Sequence, residues 1–205
     1  MIPDYWRQAV QQIGREDDVM ARLVARYADV ALTSRGDAFS TLARSIVGQQ
    51  ISVRAADTVW NRLLAAVGEM TVGSVLASGA AGLSGCGLSQ RKIEYLVDLA
   101  AHFRSGRIVP EQWQDRDDES VIAELCDVRG IGRWTAEMFL IFNLLRPDVF
   151  PLDDIGLQRA LSEHYFSGEK QSRRVLVQLG ERWRPWRSVA TWYLWRSLDP
   201  LPVLY

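Results

Sequence analysis

The chain has 205 residues, 48% of them hydrophobic and 10% aromatic, which is enough for one large helical or mixed core or for two small ones sharing a cleft. A formal net charge of −1 excludes a protein that coats nucleic acid non-specifically. Two cysteines exclude a disulfide framework and a four-thiolate iron–sulfur cluster, and two histidines, His102 and His164, leave almost nothing for a zinc site or a Ser-His-Asp triad.

Cys86 and Cys126 are expected to be buried, reduced thiols. No apolar run approaches the roughly eighteen residues of a membrane span, and Met1-Ile2-Pro3-Asp4-Tyr5-Trp6 lacks the basic-then-apolar order of a signal peptide. The expectation is a soluble cytoplasmic protein with no membrane partner, nucleoid-associated if bacterial.

In chain order, apolar residues recur at helical spacing from the start, as Trp6, Val10 and Ile13 and then Val19, Leu23 and Tyr27. Asp37 reads as the N-cap of a helix over 38–47, Ser52 of 53–67, Thr71 of 72–77, Ser89 of 90–104, and Asp117 or Asp118 of 119–127. Gly68, Gly79, Gly106 and Pro147 mark stops. Further helices are expected over 133–145, 154–164, 171–183 and 186–198, the last two separated by Pro185. No stretch alternates as a strand, so the fold class is all-α. The spacing suggests a continuous domain over 35–145, with a second built from both chain ends, 1–34 and 146–205. These would be two helical lobes flanking a cleft near 147–154.

The basic residues are not spread evenly. Between positions 170 and 196 stand Lys170, Arg173, Arg174, Arg182, Arg184, Arg187 and Arg196 against one acid, Glu181, with four tryptophans interleaved. That pattern predicts a phosphate-facing surface. Between 111 and 127 seven acids stand against Arg116, as a solvated face would.

The richest stretch is 128–154. Val128-Arg129-Gly130-Ile131-Gly132 reads as a tight turn between a helix over 121–127 and the next over 133–145, a helix–hairpin–helix element at 121–145. Amides at such a turn and at the following helix start can bond phosphate oxygens without reading bases. About twenty residues on, Asp153 and Asp154 place carboxylates where a backbone grip would position a nucleotide. A lone Gly-Ile-Gly would also suit a plain helix connection.

Five stretches in order carry a resemblance: Ile46-Val47-Gly48-Gln49-Gln50-Ile51-Ser52; Gly87-Leu88-Ser89 with Lys92; Gly130-Ile131-Gly132-Arg133-Trp134-Thr135-Ala136; Phe150-Pro151-Leu152-Asp153-Asp154; and Trp183-Arg184-Pro185-Trp186-Arg187-Ser188 running on to Trp195. Over nearly its whole length the chain resembles the helix–hairpin–helix DNA glycosylases, and within them the 3-methyladenine DNA glycosylase II group, in a compact form without an N-terminal β domain. The resemblance implies excision of alkylated purines such as N3-methyladenine and N7-methylguanine from double-stranded DNA, after the nucleotide is rotated out of the duplex, by a monomer. Asp154 matches the catalytic aspartate; Asp153 is a supporting neighbour whose other role would be capping the next helix.

Trp134 and Trp195 match walls of the base pocket, where an indole face attracts a positively charged ring by about 0.5–2 kcal/mol. Met138 stands where relatives often have tyrosine, and Trp192 and Tyr193 border the same pocket. Trp6, Trp60, Trp113, Trp183 and Trp186 are assigned to core packing. Gln49 and Gln50 fall where relatives insert a plug into the gap left by the extruded base; a capping amide is the other reading. Arg129, Gly130, Gly132, Arg133, Thr135 and Arg187 are the expected backbone contacts. A Na+ or K+ ion held by the carbonyls of Cys126, Val128 and Gly130 is implied by the resemblance alone, and no other cofactor is required.

Lysine use bears on the reaction class. Of 24 basic residues only Lys92 and Lys170 are lysines, and arginine forms no Schiff base. Trp134 occupies the position of the lysine found in the lyases of the superfamily, which implies a monofunctional enzyme. Two alternatives stay open: a glycosylase of the same fold for deaminated or oxidised bases, and a non-catalytic helix–hairpin–helix DNA-binding protein.

Overall fold

Serine, threonine or aspartate at a helix start accepts an otherwise orphaned backbone N–H, and this chain uses the device repeatedly. The computed structural model describes residues 2–34 and 36–198. Among these residues there is no strand. The helices are α1 (Trp6–Glu16), α2 (Asp18–Arg26), α3 (Ala38–Gly48), α4 (Val53–Val67), α5 (Val72–Leu83), α6 (Gln90–Arg104), α7 (Asp118–Cys126), α8 (Arg133–Phe142), α9 (Ile155–Tyr165), α10 (Arg173–Glu181) and α11 (Arg187–Leu198). A 3-10 turn, Pro110–Asp115, was not expected from the sequence.

Asp37, Ser52, Thr71, Ser89 and Asp117 each cap the helix assigned to them. Each such cap contributes about 1 kcal/mol. Three helices differ from expectation for local reasons. Gly79, at φ 55°, interrupts α5, and helical backbone resumes beyond it to Leu83. α8 ends at Phe142 because Leu145 turns left-handed (φ 54°) and the Arg146 N–H bonds Leu140 O. α10 begins only at Arg173 because Ser172 is its cap.

The chain forms two compact units, and the division falls between Phe139 and Leu140, inside α8, ahead of the boundary expected at 145. In the unit over 36–139, α6 packs on α3 and α5, and α4 lies against α3 and α5. Its core holds Leu42, Ile46, Leu63, Leu96, Leu99 and Trp113, and the Trp113 indole meets Phe139 edge-on and donates to Glu124 Oε1 at 2.7 Å. In the unit over 2–34 and 140–198, α11 is buried continuously from Ser188 to Leu194 and packs against α1, α2 and α9. No single helix among the described residues is long and apolar enough to cross a membrane.

Candidate active site

Asp154 begins α9. With φ −76° and ψ 120° it is the N-cap: Oδ1 accepts the Leu157 N–H at 2.6 Å, and its carbonyl accepts the Gln158 N–H at 3.0 Å. The same Oδ1 accepts the indole N–H of Trp195 at 2.8 Å. Gly156 makes that approach possible, since a Cβ there would lie 3.1 Å from Asp154 Oδ1 and 3.6 Å from the Trp195 ring. Trp195 is in turn stacked on Phe142, centroids 5.7 Å apart at 17°. The carboxylate is therefore held by backbone on one side and by a fixed indole on the other.

Asp154 is buried, but the next residue, Ile155, is 81% exposed, the most exposed large apolar side chain described. The candidate carboxylate thus borders the surface. Asp153 is exposed and pairs with Arg173 at 2.5 Å, so the helix cap belongs to Asp154, which corrects the capping role considered for Asp153. The approach is rigid: the Phe150 ring fills the space where a Cβ on Gly180 would stand, 2.4 Å away.

The hairpin between α7 and α8 lies in the unit over 36–139. Buried Val128 and Ile131 anchor it, joined by the Ile131 N–H to Val128 O bond at 3.1 Å. Gly130 needs to be glycine twice over. Its φ is +86°, and a Cβ would fall 2.1 Å from the Tyr95 ring. Gly132 O accepts the Ala136 N–H, so Gly132 stands at the N-cap of α8, and Gly132, Arg133 and Trp134 are exposed at the start of that helix.

Several expected contacts are taken up inside the fold. The Arg129 N–H donates to Asp98 Oδ2 at 2.9 Å and its guanidinium pairs with Glu94. Arg133 pairs with Glu119 and Glu137, and the hydrogen bond to Glu119 holds its guanidinium further into the charged form and pulls the Glu119 carboxyl below its ordinary range. Thr135 is buried. The Gln49 side-chain amide donates to Gly130 O at 2.8 Å, which corrects its assignment as a plug and supports the capping reading for it. Gln50 is exposed and left-handed, φ 58°. Of the three carbonyls assigned to a monovalent ion, Gly130 O accepts from the Gln49 amide and Val128 O from the Ile131 N–H.

Several expected site residues are held elsewhere. Trp192 and Tyr193 are core residues: Trp6 meets Trp192 edge-on and stacks on Tyr193, because α11 is buried around its circumference from Ser188 to Leu194 and only its ends are partly exposed. Met138 is buried to the same degree as Asp154. Arg187 does not face phosphate; its guanidinium is doubly bonded to Asp148, 2.7 and 3.0 Å. Arg184 and Arg173 likewise meet Asp148 and Asp153, so acids from outside the basic stretch neutralise much of it. Cys126 is exposed, while Cys86 is buried as expected. Trp6, Trp60, Trp113 and Trp183 are buried, and Trp186 stacks on Tyr5.

Residues 43–185 match the family model of the HhH-GPD superfamily of base excision DNA repair proteins, a span that takes in the hairpin, the Asp154 cap and the end of α3. The chain belongs to that superfamily. This HhH-GPD protein is 29% identical over 188 residues to the putative DNA-3-methyladenine glycosylase YfjP of Bacillus subtilis, covering 88% of this chain and 66% of that one. It is 30% identical to DNA-3-methyladenine glycosylase 1 of Schizosaccharomyces pombe, covering 87% and 80%, and resembles the S. pombe Mag1 structure in complex with abasic DNA at a TM-score of 0.76 (28% identity, 96% and 100%). The DNA-3-methyladenine glycosidase of Bacillus halodurans superposes at a TM-score of 0.86, with 33% identity over 93% of this chain and 89% of that one.

The sequence did not announce two features of the HhH-GPD site. Ile155 gives no signal beyond following a capping aspartate, whereas the spacing of Lys92, Tyr95 and Asp98 sets them along one face of α6.

Proposed function

We propose that this protein is a monofunctional DNA glycosylase that hydrolyses the N-glycosidic bond of alkylated purines, N3-methyladenine and N7-methylguanine, rotated out of double-stranded DNA, acting as a monomer. The observation that carries this reading is the Asp154 carboxylate, fixed by the Leu157 N–H and the Trp195 indole N–H beside an exposed apolar residue. A ring-alkylated purine is already cationic and departs as a neutral heterocycle, so the reaction asks for no general acid. It asks for an anion near the sugar, where positive charge grows as the C1′–N bond stretches. Asp154 supplies it, and accepts a proton from the water that then attacks C1′.

Trp195 has one face on Phe142, and its other face is the one proposed to stack on the cationic base. Trp134, 36% exposed at the start of α8, is the second indole proposed for base contact, and the α8 amides are proposed to bond phosphate. Trp134 in place of a lysine, and a Lys92 ammonium already bonded to two carbonyls, support hydrolysis without strand cleavage.

The test is direct. Purified protein is incubated with duplexes carrying N7-methylguanine, N3-methyladenine, hypoxanthine or an oxidised pyrimidine, and free base and strand breaks before alkali are measured. Release confined to the alkylated purines, with unbroken strands, is expected. Release only of hypoxanthine or the oxidised base, or none at all, would overturn the proposal.

A further inference from the structure

The end of α3 and the hairpin are tied to one face of α6. Lys92 Nζ donates to Val47 O and to Gln49 O, both at 2.7 Å. One turn on, the Tyr95 ring lies where Gly130 would carry a Cβ. One turn further, Asp98 accepts the Arg129 N–H at 2.9 Å. The Gln49 side chain closes the circuit by donating to Gly130 O.

Three details mark Lys92 as more than a surface lysine. It sits in the first turn of α6, where a cation is opposed by the helix dipole, yet it meets the C-terminal carbonyls of α3, where a cation is favoured. It is one of two lysines in a chain with 22 arginines, and a tetrahedral ammonium can serve two carbonyls a few ångströms apart that a planar fork serves less well. Burial pushes its ammonium below the ordinary lysine range, a cost that its two bonds offset.

What these bonds fix is Gln50. Left-handed backbone at a non-glycine residue is strained and persists only where the surroundings impose it. Here Lys92 grips the carbonyl of the residue before it. We propose that Lys92 is a positioning residue: with Tyr95 and Asp98 it makes α6 a brace that sets the left-handed Gln50 turn and the phosphate-binding hairpin at a fixed separation, so that gripping the backbone and filling the gap left by the extruded base occur in register. This rests on the base-extruding function proposed above.

Lys92→Met keeps the stem and removes the donors. Hydrogen exchange should rise at least tenfold for amides 49–52 and leave α7 unchanged. Single-turnover release of N7-methylguanine paired with cytosine should fall tenfold or more. Release of the same lesion opposite an abasic analogue, where there is no orphaned base to fill against, should change less than twofold. Lys92→Arg, which keeps the charge and carries the test if the methionine variant does not fold, should show a smaller loss confined to the paired duplex. Equal losses on both duplexes, no loss on either, or unchanged exchange at 49–52 would overturn the brace. If the wild type released no base from either duplex, the glycosylase function would fail by itself, and the exchange result would still decide the role of Lys92.

Discussion

Two buried aspartates in one unit share nearly every local feature and differ in what surrounds them. Asp17 caps α2, accepting the Val19 and Met20 N–H groups, and also takes the Trp183 indole N–H at 3.1 Å and the Tyr165 hydroxyl at 3.0 Å. Asp154 caps α9 and takes the Trp195 indole N–H. They are 5% and 8% exposed, and α9 runs from one, at its N-cap, to the partner of the other, Tyr165 at its last turn. Asp17 is closed in by Tyr165 and the fully buried Trp183, whereas Asp154 is followed by the exposed Ile155 and its indole is only half-buried. Burial, capping and an indole N–H are therefore shared by the carboxylate proposed to act on the sugar and by a structural one; what differs is the exposed Ile155 beside Asp154.

The comparison can be broken most sharply by exchanging the charge. Asp154→Asn should slow base release by about 10³-fold or more while moving the melting temperature little, because asparagine still caps a helix. Asp17→Ala should do the opposite. It removes a cap and strands two buried donors, costing about 3–5 kcal/mol in denaturant unfolding, with release per folded molecule within twofold of wild type. The indoles give smaller versions of the same contrast. Trp195→Phe keeps the stack on Phe142 but loses the N–H to Asp154, and should lower single-turnover release about tenfold. Trp183→Phe should cost about 1 kcal/mol of stability and leave kinetics untouched.

The smallest effect is a pH slope. Burial holds the His164 imidazole, at the far end of α9, below the 6.5 of an exposed histidine. The unfolded chain binds that proton first, so stability is full above about pH 6.5 and declines as pH falls from there toward the lower folded value. Melting curves across that range should show the decline, and His164→Gln should flatten it.

Much of this was legible beforehand. The bounds of α4 and α6 follow from their serine caps, and Asp154 stood out because it follows the hairpin at a fixed distance behind Phe150-Pro151. What stayed hidden was pairing between distant positions. Arg187 reads as a phosphate contact until Asp148, 39 residues away, is seen to hold it, and Gln49 reads as a plug until its amide is found on Gly130, 81 residues away. Trp192 and Tyr193 misled because α11 has no distinct apolar face and is buried on all sides from Ser188 to Leu194, so periodicity could not say which rings face the core.

The central claim is that Asp154 answers positive charge on the sugar, and affinity reports it without any turnover. Duplexes carrying a cationic pyrrolidine or a neutral tetrahydrofuran abasic analogue are compared by equilibrium binding to wild type and to Asp154→Asn. Wild type is predicted to bind the cationic duplex at least tenfold more tightly than the neutral one, and the variant to lose that preference. A preference that survives in the variant would contradict the account.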